Sequence, residues 1–284
     1  MKKISYPVGE LTKQVGLTEK KVLFSIITCT LNSVKYLQLM IDSVSAQHCQ
    51  DFEHIFIDGY SSDGTLEVIE AYQRGFPEKV SIYQLPSNGI SNAMNYGIDI
   101  AKGSIILHLH GDDCLASPDV LQAAKESFDK NTISILIGNC YLMDGENSRS
   151  TWPKSKLFNI LKKYFLISLM FYTNPIPHPS TFIKREVFQK YGGFDDLLKV
   201  VMDYDAWFRF FKGENFLLID KVLSKYRFHP NTISSTRVDL GLREIDMIRE
   251  KYKNEYYFNY LFFKLILKPV FRLNRLKNNI SNKF

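Results

Sequence analysis

Two adjacent carboxylates, Asp112 and Asp113, follow the aliphatic run of LHLHGDDCL, residues 107–115, and they are the chain's strongest chemical signal. A buried strand ending in two carboxylates cannot leave both charges unpaired in a low-dielectric site, so a divalent cation is their natural partner. Hard oxygen ligands suit Mg²⁺ or Mn²⁺, ions that keep positions open for waters and substrate phosphate oxygens. The pair therefore reads as a metal site serving a phosphate-bearing substrate, against the plainer reading of a polar turn after a strand. A third acid, Asp58, ends the apolar run FEHIFID, and two more, Asp203 and Asp205, open the helical pattern VMDYDAWFRFFKG.

The elements that must position these acids follow from periodicity. VLFSIITCT is a β-rich apolar run, and YLQLMIDSVSAQ after it has apolar residues at helical spacing. FEHIFID predicts a second strand, TLEVIEAYQRG a helix capped by Gly75, KVSIYQL a third strand, SNAMNYGIDIAK a helix, and SIILHLH a fourth strand running into Asp112. Alternating strands and helices imply an α/β fold with a mainly parallel sheet and right-handed crossovers, binding ligands beyond the strands' carboxyl ends. Asp58 and the Asp112–Asp113 pair would then face one crevice. Beyond residue 130 the order is less regular. TISILIGNCYLMDG suggests a strand and residues 156–172 a largely buried helix; a Pro-rich loop, a short strand, a helix and a Gly-Gly turn precede Asp203.

With 284 residues, 45% of them hydrophobic, the chain can bury a large core, which excludes disorder for most of it. Cys29, Cys49, Cys114 and Cys140 are widely spaced without a CxxC pattern, so neither a disulfide framework nor a zinc site is expected, and a reducing cytosolic compartment fits. Residues 1–20 read as a polar leader without the apolar stretch of an export signal. The net charge is +6, and residues 241–284 hold ten Lys or Arg against four acids, so the tail carries the whole excess. Within it YYFNYLFFKLILKPVF is interrupted by Lys264 and Lys268 and falls short of the ~20 apolar residues that span a bilayer. Lying on an anionic membrane surface is the expectation; packing of the aromatic stripe on the core is the alternative. No nucleic-acid motif accompanies the charge.

Taken in order, SIITCTLN, FIDGYSSDGT, NGISNAMNYGIDIAKG, LHGDD, PHPSTFIKREVFQKYGGFD, MDYDAWFRF and YRFH resemble the family 2 glycosyltransferases of the GT-A fold, over residues 22 to 232. The bacterial members that build O-antigen and capsule-type polysaccharides are most similar. The resemblance implies a Rossmann-like nucleotide-binding sheet flanked by helices, with a nucleotide-sugar half at 21–116, an acceptor half at 117–235 and a helical, basic extension at 236–284. It implies an inverting, metal-dependent transfer from a nucleoside-diphosphate sugar, UDP favoured, to a polyprenyl-linked oligosaccharide at the inner face of the cytoplasmic membrane.

The resemblance also assigns roles. Asp58 would accept hydrogen bonds from the base or ribose, with an Asx-turn as its structural alternative. The segment from Thr28 to Asn32 would line the same pocket through backbone groups and Thr30, with Asn92 and Asn95 of SNAMNYGIDIAK also on the nucleotide-sugar side. Asp113 would be the direct metal ligand and Asp112 would lie near the ribose or bind through water. Asp203 would be the general base, with Asp205 the competing acceptor-side acid. Arg227 would pair with phosphate, His229 would complete the metal shell or contact diphosphate, and His178 would stand near the acceptor pocket. The chain departs from the family at Asn92, usually Asp; at Met202, usually an acid; and at His110–Gly111, usually Asn-Ser. These changes bear on donor and acceptor contacts and leave metal and base in place. A nucleotidyltransferase would need a Gly- and basic-rich phosphate loop, which SIITCTLNS lacks. A non-catalytic assembly partner is the remaining alternative, and retention of Asp113 and Asp203 argues against it.

Overall fold

The computed structural model describes residues 22–144, 147–150, 162–230 and 232–269. The leader, the first part of the 156–172 helix and the basic residues Arg272, Arg275, Lys277 and Lys283 lie outside these. The first half alternates as its periodicity dictates: β1 (Phe24–Thr30), α1 (Val34–Ser45), β2 (Phe52–Asp58), α2 (Thr65–Gly75), β3 (Val80–Gln84), α3 (Ile90–Ile100) and β4 (Ile105–His108). β1 pairs in parallel with β2 on one side and β4 on the other, and β2 pairs with β3. The chain thus reverses its direction of growth at β1, and the crevice beyond β1 and β4 is where such sheets bind ligands.

These strands are apolar on both faces because both faces are covered. Ile27, Ile55, Ile57 and Ile106 pack on one side with Met94 and Ile98 of α3. Phe24, Ile26, Phe56 and Leu107 pack on the other with Leu37, Met40, Ile41 and Val44 of α1. Gly97 lets α3 lie close against β1, since a Cβ there would sit 2.5 Å from Ile27 Cγ2.

The second half brings β5 (Cys114–Leu115), α4 (Val120–Lys130), β6 (Ile135–Asp144), β7 (Asn147–Ser150), α5 (Lys162–Met170), β8 (Thr181–Lys184), α6 (Arg185–Tyr191), α7 (Met202–Phe211) and β9 (Phe216–Arg227). The sheet runs β3-β2-β1-β4-β8-β6-β9-β5, with β7 on β6. β8 is antiparallel to both β4 and β6, whereas β9 is parallel to β6. Two sequence expectations need correction. β4 stops at His108, so the carboxylates stand on a loop beyond the strand rather than at its last residue. Gly75 ends α2 without a left-handed conformation, and Phe76 is the capping residue. The 12-residue β9 carries no clear alternation, for its register on β6 shifts on either side of Asn139.

The C-terminal elements are α8 (Ile233–Thr236), α9 (Val238–Tyr252) and α10 (Tyr257–Phe262), continued by a π-turn at Phe263–Leu267. Gly241, Glu244, Ile248 and Tyr252 recur at helical spacing and form the buried face of α9. Tyr252 stacks on Phe208 of α7 at 4.8 Å. The extension therefore packs on the core with one face and leaves Tyr257, Phe258, Leu265 and Ile266 exposed on the other. No helix among the described residues is long and apolar enough to cross a membrane.

Candidate active site

Three loops converge beyond the carboxyl ends of β1, β2 and β4. At β2, Asp58 is fully buried opposite Thr30. Its Oδ1 accepts from the hydroxyls of Thr30 at 2.9 Å and Ser61 at 2.6 Å, and its Oδ2 from Ser61 N–H at 2.9 Å. Gln84 Nε2 adds a marginal contact at 3.5 Å. The backbone bond is made to the residue three positions on, not the two of an Asx-turn, so Asp58 braces the loop after β2 against β1. Asn32 takes a left-handed φ of 52°, which Asn tolerates, and its Oδ1 accepts from Ser62 N–H at 2.9 Å. The Thr28 hydroxyl is buried and donates to Leu109 O at 2.7 Å, so its side chain ties β1 to the loop after β4.

The carboxylate pair is asymmetric. Asp113 is fully buried; Oδ1 accepts from Arg227 N–H at 3.0 Å, and Oδ2 is buried with no partner. Burial first, and the charge of Asp112 second, push the Asp113 carboxyl well above the usual carboxylate range. Asp112 is partly open, with Oδ2 3.1 Å from His229 Nε2. Arg227 stacks over Tyr36 at 4.4 Å, and Tyr36 also meets the His229 ring at 5.2 Å. No three His, Cys, Asp or Glu side chains converge as a ready cage among the described residues. An orphaned carboxylate oxygen beside a second carboxylate and an imidazole nonetheless fits a divalent cation that takes its remaining ligands from water and diphosphate. Such a charge would reverse the electrostatics that now oppose ionisation of Asp113.

On the acceptor side, Asp203 lies in the first turn of α7. It is half-buried, with Oδ2 accepting from Asn174 Nδ2 at 3.0 Å and Oδ1 from Tyr204 N–H at 2.8 Å. Burial pushes its carboxyl up to about 6, against the lowering effect of these bonds. Asp205 is committed elsewhere. Arg209 holds it at 2.9 Å, Lys251 at 2.8 Å and the Tyr252 hydroxyl at 3.0 Å, so it cements α7 to α9. Met202 is buried in the core, where the family's acid would have no solvent.

His178 forms a ring cluster with His108 and His110, at centroid distances of 5.4 and 5.7 Å, and also meets Trp207 of α7 at 5.6 Å. Burial, reinforced by the other two rings, holds His178 well below the usual imidazole range. It bridges the carboxylate loop and the Asp203 helix as a neutral ring. Asn92 is half-buried in the first turn of α3. Asn95 departs from the expectation: its amide is paired with both Phe194 N–H, at 2.7 Å, and Phe194 O, at 2.8 Å, which locks α3 to the Gly-Gly turn.

The Tyr226 phenol is raised first by burial, against a bond to the Ser234 hydroxyl that lowers it, and the charges of Asp113, Asp112 and Asp203 add to the rise. Sequence reasoning missed Tyr36, Ser61 and Asn174; of these only Ser61, in FIDGYSSDGT, stood in a segment already marked as functional, and Asn174 lies just before PHPSTF. Because Asn174 donates to ionised Asp203, Asn174→Ala is expected to raise that carboxyl further. If Asp203 must be ionised to act, turnover falls as pH drops through about 6, and the acid limb of a kcat–pH profile moves to higher pH in Asn174→Ala. An unmoved limb would separate Asn174 from the titrating group.

Residues 25–192 match the family described as "Glycosyl transferase family 2". A PGL/p-HBAD biosynthesis glycosyltransferase of Mycobacterium tuberculosis is 31% identical over 191 residues, covering 67% of this chain and 70% of that protein. An uncharacterised glycosyltransferase of Methanocaldococcus jannaschii is 30% identical over 74% of this chain and 72% of its own length. Among solved structures, S. aureus TarS 1-349 in complex with UDP-GlcNAc superposes with TM-score 0.64 at 21% identity, covering 80% of this chain and 66% of that one. A mannosyltransferase of Pyrobaculum calidifontis in complex with GDP-Man and Mn²⁺ gives TM-score 0.63 at 15% identity, with coverages of 86% and 70%. At these identities the structural likeness shows the fold.

Proposed function

This chain belongs to glycosyl transferase family 2, and from that premise we propose that it transfers a sugar, with inversion, from a nucleoside-diphosphate sugar to a hydroxyl of a polyprenyl-linked oligosaccharide in surface polysaccharide assembly of the O-antigen or capsule type. The observation that carries the reading is buried Asp113, whose Oδ2 has no partner, in a loop with partly open Asp112 and its neighbour His229. Asp203 accepts the proton of the incoming hydroxyl as its oxygen attacks the anomeric carbon, and the bond from that carbon to the diphosphate oxygen breaks on the opposite face. The electron pair leaves with the nucleoside diphosphate. Mn²⁺ or Mg²⁺ held by Asp113, with Asp112 and His229 beside it, would supply Lewis-acid stabilisation of the negative charge on that leaving group. Arg227 pairs with a phosphate oxygen and adds to the same stabilisation. Thr30, Asn32 and Asp58 shape the nucleotide side, Asn92 stands by the donor, and His178 limits the acceptor side.

Relatives of similar fold bind UDP-GlcNAc in one case and GDP-Man with Mn²⁺ in another, which supports a nucleotide-sugar donor and leaves UDP favoured on family resemblance. The exposed Tyr257, Phe258, Leu265 and Ile266 beside exposed Lys264 and Lys268 support peripheral docking on an anionic membrane at its cytoplasmic face.

Thermal melting and nucleoside diphosphate release are measured with UDP-, GDP- and dTDP-sugars, each with Mn²⁺ and with EDTA. One donor is expected to raise Tm only with metal and to be slowly hydrolysed; no response to any donor would overturn the reading. Sedimentation with phosphatidylglycerol vesicles tests the location, and binding is expected to fall when Lys264 and Lys268 become Glu.

A further inference from the structure

We infer that Glu244 of α9 is a positioning residue for the base Asp203, fixing the backbone from which that carboxylate projects. The inference rests on the assignment of Asp203 as base and adds a residue that none of the family's motifs contains. Glu244 is only 4% exposed. Its Oε1 accepts from Lys199 N–H at 2.8 Å, and its Oε2 from Val200 N–H at 3.0 Å and Val201 N–H at 3.1 Å. Three successive amides of the segment leading into α7 thus converge on one buried carboxylate.

The contacts continue to the base. Val201 is the residue that caps α7, and its carbonyl accepts from Tyr204 N–H at 3.1 Å. The same Tyr204 N–H donates to Asp203 Oδ1 at 2.8 Å. Glu244 therefore sets the amides before Asp203, and the Tyr204 amide sets the carboxylate itself. About two turns further along α9, Lys251 and Tyr252 hold Asp205. α9 grips α7 on both sides of Asp203, which is left as the acid between two fixed points.

A buried carboxylate is a costly way to fill space, and an apolar residue of similar volume would ordinarily do as well. Its use here has a local reason: charge-assisted bonds to three amides of the segment leading into α7 are short and directional, and a negative charge near the start of a helix is favoured by its dipole. Ser91 Oγ donates to Leu198 O at 3.2 Å, so the same segment is also tied to α3 on the donor side. Gly241, one turn before Glu244, lets α9 approach, since a Cβ there would lie 3.1 Å from Val200 Cγ1.

The test compares Glu244→Gln and Glu244→Ala with wild type in the full chain, using the donor that the screen selects. Turnover is read as nucleoside diphosphate release, and affinity by titration with UDP or GDP plus Mn²⁺. Displacement of a reacting group by about 1 Å costs up to about 10²-fold, so kcat per folded molecule is expected to fall roughly 10- to 10²-fold in Glu244→Ala. Glu244→Gln, which keeps one accepting oxygen, is expected to fall between it and wild type. Nucleotide affinity stays within about twofold in both. Unchanged kcat in Glu244→Gln and Glu244→Ala, or loss of affinity and Tm in step with kcat, would overturn the positioning role. Asp203→Asn is run beside them. If it still turns over, the base assignment itself falls and the inference with it; if it is inactive while the Glu244 variants match wild type, the base stands and only the positioning role falls.

Discussion

Asp203→Asn is expected to reduce turnover by about 10²- to 10⁴-fold while nucleotide affinity changes by less than about twofold, because general-base assistance is made only in the transition state. The substitution is close to isosteric and leaves the surrounding contacts largely in place. The Tyr204 amide can still donate to the side-chain oxygen, and Asn174 can turn its own amide to pair with the new one. What is lost is a carboxylate whose burial has raised it to about 6, a value near the working pH where a base both stays ionised and accepts a proton readily. Asp205→Asn is the control. It removes the charge paired with Arg209 and Lys251 and leaves one accepting oxygen for three donors, so it should lower Tm before it lowers kcat per folded molecule. If Asp205→Asn abolished turnover in folded protein and Asp203→Asn did not, the two roles would have to be exchanged.

Asp113→Asn is expected to have an effect of similar size by a different route. Turnover should fall about 10²- to 10³-fold, the cost of removing one preorganised electrostatic group, and the metal-dependent rise in Tm on donor binding should disappear. Metal-free Asp113→Asn should melt no lower than metal-free wild type. The reason lies in the asymmetry of the pair: Asp113 is buried, its Oδ2 lacks any partner, and its ionisation is opposed by desolvation and by Asp112. Without a cation the carboxylate charge is a local liability, which a neutral amide removes. A group that costs stability in the absence of its ligand belongs to function rather than to folding. Retained turnover in Asp113→Asn, or a metal-dependent shift that survives it, would sink the assignment.

The differences between motif and structure share a physical origin. Asn95 belongs to a segment that resembles the donor-side helix of the family, yet its amide is spent on the backbone of Phe194. Thr28 sits in the strand that feeds the nucleotide loop, but strand alternation turns its hydroxyl inward to Leu109. A motif marks the segment that passes a site; which side chains within it face the site depends on the packing of neighbouring elements.

By itself the sequence determined the alternating elements of the first half and the placement of Asp58 at the end of β2. Those features are local: burial on one face or both is written into periodicities of two and 3.6 residues. The ordered motifs also carried the family. Only the tertiary structure decided that Asp203 is half-buried beside Asn174 while Asp205 is spent on Arg209, Lys251 and Tyr252, that Asp113 keeps an orphan oxygen, and that Glu244 holds the approach to α7. The deciding partners are remote: Arg227 reaches Asp113 across 114 positions of sequence, and Glu244 reaches Val201 across 43. No local periodicity records a hydrogen bond made by the return of a distant strand or helix, so a carboxylate's freedom to do chemistry is settled by what packs against it.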